Sequence, residues 1–467
     1  MNEAMVRDAL HLVADGVGEY PVLKPALRRA RRARAARLVA APVALGLVVA
    51  GVLSLAPALS STSVVGGTPG AADVRLPDHL DAPGVANATI AAEPPGPVPI
   101  VMAGSRFPLS GLFYTNRAAT LSPAGYRWVD WRNAWTVMPG ENLLLAPDGT
   151  KVAWLEDGLK VQDLRTGQIR TVARGPFVDG TAQPMAWSPD GQYLAYAKRP
   201  QPGMLPEDAS PTVEVGLLDV VTGTVRRVFE ASEPVPGAPP MLAFSPDGLR
   251  VAFQSGDRVH VAGLGRPSTW SVELPRGAVL AGKAAWTRDG TAVAIAVPRD
   301  DAAVTTWHLL FKDADTGRSR SEPDYPEVPG ASLIRLVGWT PAGEAVAVAY
   351  VGRSDPGPTD TYASRTDFHL VRRADLVALR PGAGQVRVLL SAPDGVEALD
   401  VAEQAVAAGG VAAVPRPPFV FVPRWWWALG GAVLLLAQIV IAFAALAVMR
   451  GRRPDRGNAR PYRRTTP

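Results

Sequence analysis

The sequence predicts an all-β fold, a β-propeller of six blades, flanked by two transmembrane α-helices. Two observations support this. A tight turn followed by an alternating apolar strand recurs along the chain at intervals typical of four-stranded propeller blades. In addition, residues 38–59 and 425–449 form two long segments without a charged residue. Each is long enough to cross a hydrocarbon core of about 30 Å as a helix.

The composition excludes several classes of site. The chain has 467 residues, of which 47% are hydrophobic and 19% charged, and it contains no cysteine. Disulfides, thiolate zinc or iron–sulfur sites and a lipoprotein anchor are therefore excluded. An exported domain of this chain must be stable through its core alone.

The net charge of +5 belongs to the two ends of the chain. Residues 1–37 carry eight Lys and Arg against four acidic residues, and residues 450–467 carry seven Arg against Asp455. The remainder holds 33 basic and 38 acidic residues, so it is mildly acidic. Basic flanks stay in the cytoplasm, which predicts that both termini are inside and that residues 60–424 are outside the cytoplasmic membrane.

Flanking features agree with this topology. Trp425, Trp426 and Trp427 form an interfacial anchor at the outer end of the second span. A cleaved signal peptide with Ala56–Pro57–Ala58 as its processing site is the alternative for the first span, although 37 residues precede the hydrophobic stretch and Pro57 fits a cleavage site poorly. Within the basic N-terminal segment, residues 4–15 have the apolar spacing of a short amphipathic helix.

Two segments of low periodicity connect the predicted spans to the predicted propeller, which occupies residues 99–412. Residues 60–98 are rich in Ala, Pro and Gly and predict a loosely ordered linker. A shorter linker covers residues 413–424, and residues 450–467 form the basic cytoplasmic tail.

The repeated unit is a hairpin. An Asp-Gly pair supplies the positive φ angles of a tight turn, and the run after it alternates with the period of two that a strand requires. The turn positions lie 42, 57, 42 and 53 residues apart, at Asp148, Asp190, Asp247, Asp289 and Ala342. A second turn follows in three copies as Asp-x-x-Thr-Gly, at Asp163, Asp219 and Asp313, with a weaker fourth copy after Ala378.

This pair of hairpins resembles the WD-repeat-like unit of bacterial TolB-type propellers, in which an aromatic-Ser-Pro-Asp-Gly hairpin precedes an Asp-x-x-Thr-Gly hairpin. The resemblance covers roughly residues 97–412 and implies a closed propeller. Degenerate copies at residues 121–125 and 392–395, the latter followed by the short strand VEALDVA, leave the blade number at six, with seven as the alternative. One blade completed by strands from both chain ends favours six.

The sequence assigns no catalytic, cofactor-binding or metal-ligating residue, and no cofactor. The turn aspartates are expected to cap their own hairpins. The aromatics of the repeat, Trp187, Phe244, Trp286 and Trp339, are expected to pack between blades. His260, His308 and His369 have no metal-ligand spacing, and no Gly-x-Ser-x-Gly nucleophile motif occurs.

These observations favour a non-enzymatic recognition or scaffold module. Its binding surface would lie on variable loops, notably residues 200–211 and 352–366. The expected partners are the lipid bilayer and a protein or polymer of the cell envelope, with no nucleic acid and with the oligomeric state left open. The alternative is a propeller enzyme, a lyase, glycosidase or peptidase, whose site lies at the central channel.

Overall fold

The computed structural model describes most of the predicted propeller. The described residues are 74–84, 87–104, 117–130, 143–156, 158–173, 182–198, 212–232, 241–264, 268–299, 304–321, 323–352, 371–416 and residue 438. Apart from residue 438, both predicted spans lie outside this set, as do the N-terminal segment, the C-terminal tail and His369. Among the described residues, no helix has the length and hydropathy needed to cross a membrane.

Six antiparallel sheets, each built around four strands, form the blades of a six-bladed propeller. Blade 1 consists, from the axis outward, of β26 (Ala398–Val401), β2 (Ile100–Gly104), β3 (Arg117–Ser122) and β4 (Gly125–Trp128). Blade 2 consists of β5 (Leu143–Leu145), β6 (Lys151–Leu155), β7 (Leu159–Asp163) and β8 (Ile169–Ala173). Blade 3 consists of β9 (Ala182–Trp187), β10 (Tyr193–Lys198), β11 (Thr212–Asp219) and β12 (Val225–Ser232).

The other three blades follow the same order. Blade 4 consists of β13 (Leu242–Phe244), β14 (Arg250–Ser255), β15 (Arg258–Gly263) and β16 (Ser268–Glu273). Blade 5 consists of β17 (Val279–Leu280), β18 (Ala292–Arg299), β19 (Thr306–Asp313) and β20 (Ser319–Arg320), with β21 (Val328–Pro329) added to β19. Blade 6 consists of β22 (Leu333–Trp339), β23 (Ala345–Gly352), β24 (Val371–Leu379) and β25 (Arg387–Leu390).

The propeller is closed by β26, which comes from the C-terminal end of the domain. This strand pairs with β2 from Ile100↔Val401 to Ala103↔Ala398, so blade 1 has one C-terminal and three N-terminal strands. The prediction of six blades is confirmed. The two degenerate copies have other roles, since residues 121–125 join the outer strands of blade 1 and residues 392–395 precede the closing strand.

Strand direction divides the molecule into two faces. The first and third strands of a blade run the same way, so the turn after each of them lies on one face, which we call the turn face. The connections after the second and fourth strands begin on the opposite face, which we call the long-loop face. Turns on the turn face are short, as at residues 188–192 and 220–224. Connections on the other face include residues 105–116, 199–211 and 353–370.

Segments on either side of the repeats pack on the turn face. Strand β1 (Leu76–Pro77) pairs in parallel with β27 (Val411–Ala412), and Asp78 N donates a hydrogen bond to Ala412 O at 3.0 Å. Leu80, Ile90 and Val98 are buried. The described part of the predicted linker, residues 74–84 and 87–98, therefore contributes to the core of the propeller.

The one described helix of more than a single residue, α1 (Glu403–Ala408), follows β26 directly. Ala405 and Val406 are buried, and the Val406 side chain lies so close to Gly338 that a Cβ there would be 2.8 Å from Val406 Cβ. Gln404 N donates to Pro147 O at 3.0 Å. These contacts hold α1 between blades 2 and 6, at the turn-face end of the axis.

Candidate functional site

The turn aspartates form hydrogen bonds within their own hairpins. In blade 3, Asp190 Oδ1 accepts hydrogen bonds from Ser188 Oγ at 2.5 Å and from Gln192 N at 3.0 Å. Blade 4 repeats both contacts with Asp247, and blade 5 repeats them with Asp289. The hydrogen bond from Ser245 outweighs burial and lowers the pKa of Asp247. This local pairing confirms the capping role expected from the sequence.

Three of the repeated aromatics connect their blade to the preceding one by a hydrogen bond. The indole Nε1 groups of Trp187, Trp286 and Trp339 donate to backbone carbonyls in the inner strand of the preceding blade or in the segment after it, at 3.3, 3.1 and 2.9 Å. The acceptors are Leu144, Ala243 and Ala284. Packing between blades, as the sequence predicts, accounts for these positions.

A buried ion pair crosses the axis beneath α1. Lys283, on the inner segment of blade 5, places Nζ 2.8 Å from Asp400 Oδ1 on the closing strand of blade 1. Lys283 Nζ also donates to Val401 O at 2.6 Å, and Leu145 N of blade 2 donates to Asp400 Oδ2 at 2.9 Å. Both side chains are buried. Three blades therefore meet through one lysine and one aspartate.

The backbone of blade 5 bends to bring Lys283 to this position. Leu336 N of blade 6 donates to Ala281 O at 2.5 Å, and Ala284 N donates to Leu336 O at 3.2 Å. Gly282 lies between these bonds at a φ of +110°, and a Cβ there would be 2.8 Å from Leu336 O. The inner segments of blades 5 and 6 thus join by backbone hydrogen bonds, and Lys283 extends from the joint across the axis.

Glu403, the first residue of α1, adds a second carboxyl group to this cluster. The residue is partly exposed, yet the surrounding protein desolvates its carboxyl group. This desolvation raises the pKa of Glu403 to about 7; Lys283 lowers it and Asp400 raises it further. A carboxyl group that titrates near neutrality beside a lysine–aspartate pair can donate or accept a proton at physiological pH. We call Lys283, Asp400 and Glu403 the axial cluster.

His260 and His308, the two described histidines of the repeats, do not join the axial cluster. His260 lies on the third strand of blade 4, where its ring stacks on Phe253 at a centroid distance of 4.7 Å. His308 lies on the third strand of blade 5 and pairs with Val297. Burial lowers the pKa of both. Within the described part of the chain, no group of three His, Asp or Glu residues is placed to hold a metal ion.

Sequence reasoning missed all three residues of the axial cluster. Lys283 precedes the turn of one repeat, whereas Asp400 and Glu403 lie more than a hundred residues further along the chain. One available signal was Asp400 itself, because it is a charged residue within the apolar strand VEALDVA. A charge in a buried strand requires a partner.

Comparisons with known proteins show the fold of this chain, but they show neither its family nor its activity. No protein-family model and no curated protein sequence matches the chain. Among solved structures, an oligogalacturonate lyase from Vibrio parahaemolyticus aligns with 71% of this chain and 84% of its own, at 13% identity and a TM-score of 0.40. Dipeptidyl peptidase 4 from Porphyromonas gingivalis aligns with 58% of this chain and 42% of its own, at 12% identity and a TM-score of 0.30.

A third similar structure is the propeller domain of the Trilobed protease from Pyrococcus furiosus. It aligns with 54% of this chain and 72% of its own, at 14% identity and a TM-score of 0.32. The prediction that this chain is not an enzyme is contradicted by these findings, since a lyase and a peptidase are among the similar structures. At such low identity the likeness assigns no activity to this chain.

Proposed function

We propose that this chain is a membrane-tethered propeller that recognises a protein or polymer of the cell envelope through its long-loop face. The observation that carries the proposal is the unequal distribution of connections. Turns on the turn face are short, and their aspartates accept hydrogen bonds within their own hairpins. The connections of residues 105–116, 199–211 and 353–370 all start and end on the opposite face. Binding surfaces are commonly carried on such connections above a rigid scaffold.

The tethering part of the proposal rests on charge and hydropathy. Residues 38–59 and 425–449 are uncharged, and the basic residues of the chain concentrate at its two ends. The proposed location is the cytoplasmic membrane, with both termini inside and the propeller outside. Membership of the TolB-type family is supported by the repeated hairpin pair alone.

The recognition proposal is tested with the full chain in its native membrane. A photo-crosslinking residue replaces Tyr362, within the longest connection, or Leu249, on the turn face. We expect position 362 to yield discrete crosslinked protein or polymer species that position 249 does not yield. Identical products from both positions, or no discrete product from position 362, would count against recognition by this face.

A channel-centred enzyme is the second candidate, and the axial cluster favours it. Glu403, with a pKa of about 7, could act as a general acid or base beside the Lys283–Asp400 pair. Incubation of the full chain with acidic oligosaccharides and with peptides tests this candidate. Turnover by the wild type that Glu403→Gln abolishes, while the variant keeps its unfolding temperature, would support it. Equal turnover by the variant would exclude Glu403 from the chemistry.

A further inference from the structure

We propose that the turn face of the propeller lies on the lipid headgroup layer of the membrane. This inference rests on the proposed membrane tethering and gives the propeller a defined orientation. The occupant of the turn face is thus the bilayer interface, and the long-loop face points away from it. Three features of the described residues support the orientation.

The first feature is the point at which the chain leaves the propeller. Val414 N donates to Asp78 Oδ1 at 3.2 Å, and a Cβ on Gly125 would be 3.4 Å from Pro415 Cγ. Gly125 belongs to the outer turn of blade 1, so the chain leaves from the turn face. Arg416 is the last described residue before the predicted span at residue 425. Nine residues of fully extended chain reach about 30 Å at most, which keeps this exit point near the membrane.

The second feature is the placement of exposed aliphatic side chains. Eight large hydrophobic residues of the described chain are exposed, and five of them lie in turns of the turn face or within two residues of one. These five are Ile169, Val221, Val225, Leu249 and Val388. Val221 and Leu249 are the most exposed, at 65% and 66%. Aliphatic side chains at such positions gain free energy by entering the headgroup region.

The third feature is that several of these side chains form one continuous region with basic residues. Arg170, next to Ile169, donates hydrogen bonds to the carbonyls of Val220 and Val221 in the neighbouring blade. Val220 N donates to Gln192 O, which connects this turn to the inner turn of blade 3. A Cβ on Gly248 of blade 4, beside Leu249, would be 3.7 Å from Pro189 Cδ of that inner turn. The region therefore runs across blades 2, 3 and 4.

Basic side chains border this region. Arg165, Arg226 and Arg227 are exposed near the same turns, and Arg227 pairs with Glu230 at 2.8 Å. Arginine can bind lipid phosphate through its guanidinium group while its aliphatic stem packs on apolar neighbours. The carboxylates of the nearby turns accept backbone hydrogen bonds, as Asp219 does from Val221 N at 2.8 Å. Basic and acidic side chains therefore stand side by side in this region, which fits a zwitterionic headgroup layer.

The test uses the full chain in liposomes of phosphatidylcholine and phosphatidylglycerol. Because the protein has no cysteine, one introduced thiol carries the only dye. The turn-face variants are Val221→Cys and Leu249→Cys. The matched control is Val304→Cys, a valine 41% exposed on the long-loop face of blade 5. Each is labelled with an environment-sensitive dye, and a nitroxide on the lipid headgroup serves as quencher.

We expect quenching at positions 221 and 249 that is several-fold stronger than at position 304. Equal quenching at all three positions, stronger quenching at position 304, or no quenching at any of them would overturn the proposed orientation. Partner recognition is measured separately by crosslinking from position 362. Recognition can therefore fail while the orientation holds, and the orientation can fail while crosslinks from position 362 persist.

Discussion

Gly149 and Gly191 occupy the same turn position in neighbouring blades, with φ angles of +69° and +67°. Their surroundings differ. A Cβ on Gly149 would be 2.2 Å from Val98 O, whereas a Cβ on Gly191 would have nothing within 4 Å. The segment before β2 thus packs directly on the backbone of one turn. At Gly191 in blade 3, glycine is favoured only by the positive φ angle. At Gly149 in blade 2, the nearby Val98 backbone also leaves no room for a side chain.

We expect Gly149→Ala to destabilise the protein more than Gly191→Ala. Both substitutions place a side chain in the left-handed region at a cost of about 1 kcal/mol. The Gly149 variant must also displace the Val98 backbone, which adds about 1–3 kcal/mol. Urea unfolding of both variants measures the difference. Equal losses in the two variants would show that residue 98 does not press on this turn.

Residues also differ in whether the sequence alone predicts their structural role. The turn aspartates and the aromatics were predictable, because each interacts within its own hairpin or at a fixed register with the next blade. Lys283 and Asp400 were not, because only closure of the ring brings blade 5 and the final strand to the axis. The spacing of residues along the chain does not predict the contact between Lys283 and Asp400.

Helix α1 lies at the turn-face end of the propeller axis. Its first residue, Glu403, has a carboxyl group with a raised pKa. The ordinary pKa of a glutamate is 4.5, and desolvation in the folded protein raises the pKa of Glu403 to about 7. The folded state therefore binds this proton more tightly than the unfolded state. Its contribution to stability is present below about pH 4.5 and is lost as the pH rises toward 7.

We expect Glu403→Gln to flatten the pH dependence of unfolding between pH 4.5 and 7. The effect is at most about 3 kcal/mol, and smaller because the residue is partly exposed. Denaturant unfolding at several pH values measures it, with Glu273→Gln, an exposed carboxyl group on blade 4, as the control. If the difference in the free energy of unfolding between the wild type and Glu403→Gln does not change with pH, the raised pKa of Glu403 is contradicted.

Element boundaries show what composition could not provide. The Ala, Pro and Gly content of residues 60–98 predicted a loose linker, but Leu80, Ile90 and Val98 are buried in the described part. Composition indicates how flexible the segment is as a free chain. It does not indicate that these three side chains pack on apolar surface of blades 1 and 2.

For the whole molecule, closure by β26 explains why five clear repeats make six blades. Blade 1 has no complete repeat of its own, because its inner strand and its three outer strands come from opposite ends of the domain. Closure also removes exposed sheet edges at the axis. It holds both chain ends of the propeller on the turn face, from which the proposed orientation at the membrane follows.

The proposed topology places this propeller outside the cytoplasmic membrane with both termini inside. Labelling of intact cells with a membrane-impermeant maleimide tests it most directly, since the wild-type chain has no thiol. Val304→Cys should be labelled in intact cells, whereas Thr465→Cys, in the C-terminal tail, should be labelled only after lysis. Labelling of Thr465→Cys in intact cells, or of Val304→Cys only after lysis, would contradict the account.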